Sequence, residues 1–377
     1  MNKLFLILVC LLITTTSCTS QEITVIEATP GGVYELPKLI DNQTYVINGS
    51  GDVDHPFVFK GDSTGTVLKG CSAIKVNASY VYLKDLHFLN NEITYKQNKA
   101  LIDIDKKKSG VHDVTISNCK FEHSVPFNDR DSDSQFYWIY VNANQVRITQ
   151  NSFEGKKNRL PIIHVQSKNR KTIINNNFFG NVAPRKGEAL EAVRIGLGDG
   201  PAECTLASNT FFKYHGDSET VSVKADKVRL VNNQFIYCRS GISLRGSDNS
   251  IVEENVFSYA NTPLRISGKG HKIFDNIFKG NTGPDIVLMT GGPNYNPVSN
   301  NEIFNNYFYD QFNVGLLTYQ NYDIMPDHIS LHDNYVIGNS INSPLQDVTF
   351  LKSSFSKKSI TEVRVSKDFT LKEMIFK

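Results

Sequence analysis

The sequence predicts an all-β fold, a parallel β-helix formed by a single solenoid domain. Two observations predict it. A motif of the form apolar-x-x-Asn-x-Phe recurs along the middle of the 377-residue chain, and the segments between its copies alternate apolar and polar residues with period two. No segment shows an apolar stripe of helical spacing and length. Short strands that repeat at one period are typical of a solenoid whose coils stack on one another.

The motif sets the repeat length. Its asparagine positions, with one cysteine equivalent at the first copy, are Cys119, Asn151, Asn177, Asn209, Asn233, Asn255, Asn276, Asn306 and Asn334. The shortest steps between them are 21 and 22 residues, which is too short for two helices. We expect the asparagine at a bend, hydrogen-bonded to backbone groups of neighbouring coils, and the phenylalanine stacked along the axis. Leucine-rich repeats share this period but need leucine-dense signatures that this chain lacks.

The chain divides into a leader, the solenoid and a C-terminal segment. Lys3 precedes ten apolar residues, Leu4–Ile13, and small residues follow, which predicts a secretory signal over residues 1–17. Cys18 directly after them resembles the lipidated cysteine of a bacterial lipoprotein, the alternative being an ordinary cleaved signal. We place the β-helix at 18–340 and a cap or tail at 341–377. The protein is therefore expected in the bacterial cell envelope, in the periplasm or as an outer-membrane lipoprotein.

Composition excludes several function classes. The 40 Lys and Arg residues nearly balance 38 Asp and Glu, which argues against a generic nucleic-acid binder. No apolar stretch reaches the roughly 18 residues that a membrane span requires. Six cysteines without a CxxC pair indicate neither a zinc site nor a disulfide scaffold. We expect four of them to be small buried residues outside a disulfide framework, namely Cys71, Cys119, Cys204 and Cys238.

Cations recur on what should be one outer face. On a β-helix, residues one coil apart lie about 4.8 Å apart on the same face. Lys224 and Arg245 are 21 residues apart, and both occupy the outward phase of their strands. Arg194 is outward one coil earlier, and Arg265 one coil later with a displacement along the strand. Four stacked cations repel unless an anion lies across them. The alternative is a solvated ladder in which nearby acids compensate these charges.

The residues around these cations are similar to those of polysaccharide lyase family 6, the alginate lyases and chondroitinase B. The similar segments are Asp54–Lys60, Gly65–Gly70, Trp138–Val141, Phe153–Lys156, Glu191–Gly196, Gly216–Lys224 and Ser243–Gly246. The resemblance covers roughly residues 28–310. It implies a right-handed β-helix that cleaves uronate polysaccharides by β-elimination.

The resemblance also implies roles for individual residues. Lys224 matches the general base, and Arg245 matches the residue that assists departure of the leaving oxygen. Asp217 and Glu219 match two calcium ligands. Glu188 stands where the family has an asparagine as the third ligand. Three carboxylates still form a hard oxygen set of the kind that Ca²⁺ prefers, so calcium is the expected cofactor.

Three further residues are expected to contact the substrate. Arg194 and Arg265 can bind uronate carboxylates, and His215 can reach the cleft from its loop, with plain surface or structural roles as the alternative for each. The expected protein is a monomer that acts on an anionic uronate polymer, alginate rather than dermatan sulfate or chondroitin. The competing functions are a non-catalytic surface β-helix that binds glycans and a pectinase-like hydrolase, which would need two carboxylates flanking the bond.

Overall fold

The computed structural model describes residues 21–342, except 94, 97, 106–109, 125–134, 167–170, 185–188, 199, 293–294 and 319–320. The predicted signal, Cys18 and residues 343–377 lie outside the described residues. The described part of the chain consists of strands and turns. Within it, no helix has the length and apolar character needed to cross a membrane.

The strands form three parallel sheets, A, B and C, and each coil contributes one strand to each sheet. Sheet A contains β1 (Glu22–Ala28), β4 (Gln43–Gly49), β7 (Ala73–Val76), β10 (Ala100–Asp105), β13 (Tyr137–Asn142), β16 (Ile163–Val165), β19 (Val193–Ile195), β22 (Val221–Val223), β25 (Ser240–Leu244), β28 (Thr262–Ile266) and β31 (Ile286–Met289).

Sheet B contains β2 (Val33–Glu35), β5 (Phe57–Lys60), β8 (Val81–Lys84), β11 (Val114–Ser117), β14 (Arg147–Thr149), β17 (Ile173–Asn175), β20 (Thr205–Ala207), β23 (Arg229–Val231), β26 (Ile251–Glu253), β29 (Lys272–Phe274), β32 (Ser299–Phe304) and β34 (Asp327–His332). Every strand pairs in parallel with the strand one coil away, as a stacked solenoid requires.

Sheet C contains β3 (Leu39–Asp41), β6 (Thr66–Lys69), β9 (Leu86–Leu89), β12 (Lys120–Glu122), β15 (Ser152–Glu154), β18 (Phe178–Val182), β21 (Thr210–Tyr214), β24 (Gln234–Ile236), β27 (Val256–Ser258), β30 (Ile277–Lys279), β33 (Tyr307–Leu317) and β35 (Tyr335–Asn342). The long β33 continues into sheet A, where it pairs with β31. The predicted right-handed parallel β-helix is confirmed.

The phenylalanines of the motif form one continuous stack on the inner face of sheet C. From Phe121 to Phe308, successive ring centroids lie 4.6–5.0 Å apart. Phe88 extends the stack by one coil, 4.7 Å from Phe121, although the sequence motif does not include it. These rings are fully buried. The stack therefore confirms the axial role predicted for the phenylalanine position.

The asparagines form a buried ladder at the bend between sheets B and C. Asn233 illustrates the pattern, since its Nδ2 donates to Leu206 O at 2.8 Å and to Asn255 Oδ1 at 3.0 Å. Its Oδ1 accepts from the backbone N and from Nδ2 of Asn209, both at 3.0 Å. Each amide thus satisfies polar groups on the coils before and after it. This confirms the prediction that the motif asparagine links neighbouring coils.

The cysteines follow the expectation with one exception. Cys119, Cys204 and Cys238 are buried and carry free thiols, and burial raises the pKa of each to about 12. Cys71 is also buried, but it is disulfide-bonded to a partner outside the described residues. The expectation that Cys71 takes no part in a disulfide is therefore wrong. Nothing in its strand-like sequence context reveals the bond.

We expect Asn233→Ala to lower the free energy of unfolding by about 3 kcal/mol, because it leaves several buried donors and acceptors without partners. Urea denaturation measures the change. The matched control is Asn77→Ala, which removes an exposed amide whose Nδ2 donates to Asn48 Oδ1 at 3.1 Å, and which should change stability by less than about 0.5 kcal/mol. Equal effects of the two substitutions would contradict a structural role for the ladder.

Candidate active site

Two columns of outward side chains run along sheet A, perpendicular to its strands. Strand register defines the first column, which contains Tyr140, His164, Arg194, Ser222, Ser243 and Arg265 on successive coils. The second column lies two residues further along the same strands and contains Gln166, Gly196, Lys224 and Arg245. Its register is fixed by backbone hydrogen bonds from Lys224 N to Ile195 O and from Arg245 N to Val223 O, both 2.7 Å.

Lys224 and Arg245 lie on consecutive coils of the second column, as their 21-residue spacing predicts. Lys224 is partly buried, and none of the described residues accepts a hydrogen bond from its ammonium group or forms an ion pair with it. Burial lowers the pKa of Lys224, and the positive charges of Arg194 and Arg245 lower it further. The nearby carboxylates Glu191 and Glu219 act in the opposite direction. The net effect of the site is to make the neutral amine more accessible than in a solvated lysine.

Arg245 is held between a carboxylate and an aromatic ring. Its Nη1 lies 3.4 Å from Glu219 Oε1, and its guanidinium carbon lies 4.8 Å from the centre of the Tyr295 ring. Tyr295 is buried and comes from the loop after β31. A cation on an aromatic face is stabilised by the ring quadrupole. These two contacts fix the position of the guanidinium one coil from Lys224.

Arg265 binds the bend that precedes β22. Its Nη2 donates to Ser218 O at 2.7 Å and lies 3.1 Å from Glu219 Oε1. Only about a tenth of its side chain is exposed. Arg265 therefore anchors the acidic bend two coils away, and its predicted contact with substrate would have to use its other guanidinium nitrogens.

Arg194 forms a bidentate ion pair with Glu191 on the bend before its own strand. Its Nε and Nη2 lie 2.9 and 2.6 Å from Glu191 Oε1, and Nη2 lies 2.8 Å from Oε2. Burial raises the pKa of the Glu191 carboxyl, and the guanidinium opposes that effect. The pair leaves Arg194 Nη1 without an acceptor among the described residues. That nitrogen is therefore available to donate to an incoming carboxylate.

Asp217 holds two bends together. Its Oδ2 accepts from the backbone N of Ala189 at 2.5 Å and of Leu190 at 3.1 Å. Its Oδ1 accepts from the backbone N of Glu219 and the hydroxyl of Ser218, both at 3.2 Å. The preceding residue is Gly216, where a Cβ atom would lie 2.8 Å from Leu190 O. The tight approach of the two bends therefore requires glycine.

The two described residues of the expected calcium site, Asp217 and Glu219, already have other partners. Both oxygens of Asp217 accept two hydrogen bonds each, which uses the lone pairs that a metal would need. Two guanidinium groups lie against Glu219 Oε1. Among the described residues, no group of three His, Cys, Asp or Glu side chains is arranged to hold a metal ion. Glu188, the third expected ligand, lies outside them.

His215 lies at the end of β21, where its backbone N donates to Val182 O at 2.9 Å. Burial and the positive charge of Arg239 lower the pKa of its ring. None of the contacts described for it reaches Lys224 or Arg245. Its predicted role in substrate binding stays a prediction.

Sequence reasoning missed three polar neighbours of the cations. Tyr140 and His164 occupy the first column next to Arg194, and Gln166 occupies the second. Gln166 Nε2 lies 2.9 Å from Tyr140 Oη and 3.1 Å from His164 Nε2. Strand alternation already indicated that Tyr140 points outwards. Loops of unequal length before β16 and β19 conceal from the sequence how many coils separate Tyr140 from the arginines.

Comparison with known proteins yields one family match. The chondroitinase B family matches residues 23–353. No curated protein sequence matches the chain.

Solved structures support the fold. A mannuronic acid specific polysaccharide family 6 lyase from the human gut microbiota is 22% identical, with a TM-score of 0.69 over 86% of this chain and 78% of that one. The family 6 alginate lyase AlyGC is 20% identical, with a TM-score of 0.76 over 88% of this chain. The family 6 polysaccharide lyase Pedsa3628 from Pseudopedobacter saltans is 19% identical, with a TM-score of 0.71 over 86% of this chain and 88% of that one.

This chain spans about half of AlyGC, 51% of its length. At such identities the structural likeness establishes the β-helix, and the family follows from the match over residues 23–353. The chain therefore belongs to the chondroitinase B family, polysaccharide lyase family 6, and is a polysaccharide lyase.

Proposed function

We propose that this lyase cleaves a 4-linked uronate polymer, alginate, by β-elimination with Lys224 as the base. The observation that carries the proposal is the environment of Lys224, whose amine has no ion-pair partner among the described residues and whose pKa is lowered by burial and by two arginines. Each of these effects favours the neutral amine, which is the form that can accept a proton. Its neighbours are cations, which attract the uronate carboxylate.

The first step removes the C5 proton of the uronate. The proton is weakly acidic because the adjacent carboxylate is already negative. Neutral Lys224 Nζ takes the proton, and the electron pair of the C5–H bond moves towards the carboxylate. Guanidinium groups stabilise the charge that develops there. Arg194 and Arg265 have nitrogens not used by Glu191 and Glu219, and they supply this stabilisation in the proposed mechanism.

The second step breaks the bond between C4 and the glycosidic oxygen. The electron pair from C5 forms the C4–C5 double bond, and the oxygen leaves with the pair of the broken bond. Arg245, one coil from Lys224, stabilises this oxygen, which then takes up the proton that Lys224 removed from C5. The products are a 4,5-unsaturated uronate and a new reducing end. No water is added, so the two product masses sum to that of the substrate.

Alginate is preferred over dermatan sulfate as the proposed substrate for two reasons. Compared structures are described as alginate lyases or as mannuronic acid specific. A sulfated polymer also carries a second anion per disaccharide, which would need further cations. The cations of the columns are confined to four neighbouring coils, which carry Arg194, Lys224, Arg245 and Arg265. Three of these cations are already paired with Glu191 or Glu219.

We expect Lys224→Ala to reduce the release of unsaturated product from alginate by at least about 100-fold, because the proton acceptor is lost. Ultraviolet absorbance of the conjugated uronate measures the rate. The control Lys269→Ala removes an exposed lysine of the same β-helix and should leave the rate unchanged. Full activity of Lys224→Ala with native secondary structure would contradict the assignment. Saturated products would instead indicate a hydrolase, and binding without products a glycan-binding protein.

The pH profile tests the electrostatics of the base. Activity should rise with pH through the pKa of Lys224, because only the neutral amine accepts a proton. Arg194→Gln removes a positive charge and leaves Glu191 unpaired near Lys224, so the acid limb of kcat/KM should move to higher pH. Arg229→Gln is the control, since it breaks a similar ion pair with Glu253 on sheet B. An acid limb at the same pH in both variants would argue against Lys224 as the titrating group.

Calcium dependence is tested by chelation. If guanidinium groups neutralise the carboxylate, the enzyme should keep its activity after treatment with EDTA and dialysis. Added CaCl₂ should then have no effect beyond that of ionic strength. Loss of activity that Ca²⁺ alone restores would support the family's calcium site, with Glu188 completing it.

A further inference from the structure

A neutral hydrogen-bonding surface adjoins the catalytic cations. Tyr140 Oη accepts a hydrogen bond from Gln166 Nε2, and the same nitrogen lies 3.1 Å from His164 Nε2. These bonds fix both partly exposed side chains, and His164 beneath them is buried. Two groups then remain without a partner among the described residues. They are the Tyr140 hydroxyl hydrogen, a donor, and the Gln166 amide oxygen, an acceptor.

The ring of Tyr140 is not available for stacking on a sugar. Lys99 Nζ lies 3.8 Å from its centre, and the rings of Tyr137 and His164 lie 5.4 and 5.5 Å away. What the side chain presents to a ligand is therefore its hydroxyl group. The Tyr140 hydroxyl and the Gln166 amide oxygen together offer an uncharged donor and an uncharged acceptor. Such a pair suits hydrogen bonding with the hydroxyl groups of a pyranose ring better than binding of its carboxylate.

The neutral surface lies on the same two columns as the base and the arginines. Gln166 and Lys224 belong to the same column, two coils or about 10 Å apart, and the residue between them is Gly196. No side chain of that column therefore separates the amide from the amine. Tyr140 and Arg194 are related in the same way in the first column, with His164 between them. A polymer that lies along the columns would pass from the cations to this surface.

The next coil marks a change of charge. On β10, Asp103 is in register with Tyr140. Lys99 Nζ lies 3.3 Å from Asp103 Oδ1 and 2.7 Å from Asp105 Oδ2, and Asn142 Nδ2 donates to Asp105 at 2.8 Å. Lys99 is thus paired with two carboxylates. It does not provide a second anion-binding point.

We propose that Tyr140 and Gln166 form a subsite for the hydroxyl groups of the sugar next to the cleaved uronate, and that this subsite accepts unsulfated sugars. The inference rests on the proposed function for the location of the cleaved unit. It adds that recognition at this point of the columns depends on neutral hydrogen bonds, because Lys99, the cation that lies on the Tyr140 ring, is paired with Asp103 and Asp105.

Calorimetric binding of an unsulfated alginate hexasaccharide tests the subsite in a Lys224→Ala background, where turnover does not interfere. Adding Tyr140→Phe keeps the ring and removes the hydroxyl, and we expect about 5-fold weaker binding, the effect of one lost neutral hydrogen bond. Adding Gln166→Glu places a negative charge at the same position and should weaken binding by at least about 10-fold, less so at high salt. The background variant should bind a dermatan sulfate hexasaccharide more weakly than the alginate one.

The control is Tyr237→Phe in the same background, which removes an exposed hydroxyl in the turn after β24, where the ring stacks 4.9 Å from that of Tyr259. It should not change the affinity, and thermal unfolding checks that all variants are folded. Unchanged affinity in both column variants would overturn the subsite, as would failure of the background variant to bind alginate. Weakened binding together with an inactive wild-type enzyme would overturn the lyase proposal and support the subsite.

Discussion

The structure depends on the vertical hydrogen bonding of the asparagine ladder. Each amide joins the coil before it to the coil after it, so every coil must close with its bend at the same place. Loops of any length can leave the solenoid between strands, provided that the bend returns to register. The steps of 21 to 32 residues between ladder positions show how much variation is accommodated in this way. Fixed register is what turns residues distant in sequence into straight columns on sheet A.

Columns at a spacing of about 4.8 Å would be unfavourable for like charges without compensation. The protein compensates most of its cations internally. Glu191 pairs with Arg194, and Glu219 lies between Arg245 and Arg265. Lys224 is the exception within the described residues, and its burial among arginines lowers its pKa. The same arrangement that makes a charged lysine unfavourable makes a neutral lysine available as a base.

The acidic bend before β22 serves this arrangement as a structural clamp. Asp217 binds the backbone of the preceding coil through Ala189 and Leu190, and Arg265 reaches it from two coils away. These contacts hold Glu219 where it can orient Arg245. Along the columns the chemistry then changes from paired cations to neutral hydrogen-bonding groups at Tyr140 and Gln166. A substrate that follows the columns meets charge and hydroxyl recognition at different coils.

The sequence by itself determined the β-helix, the inner positions of the ladder and the adjacency of Lys224 and Arg245, because strand alternation and a 21-residue coil are local periodic properties. The resemblance to polysaccharide lyase family 6 extended this to the reaction class. Only the tertiary structure decided what Asp217 and Arg265 contact, that Tyr295 packs on Arg245, and that Tyr140 and Gln166 continue the columns. Those contacts join coils or loops whose lengths vary, and no periodicity specifies which side chains a loop brings together.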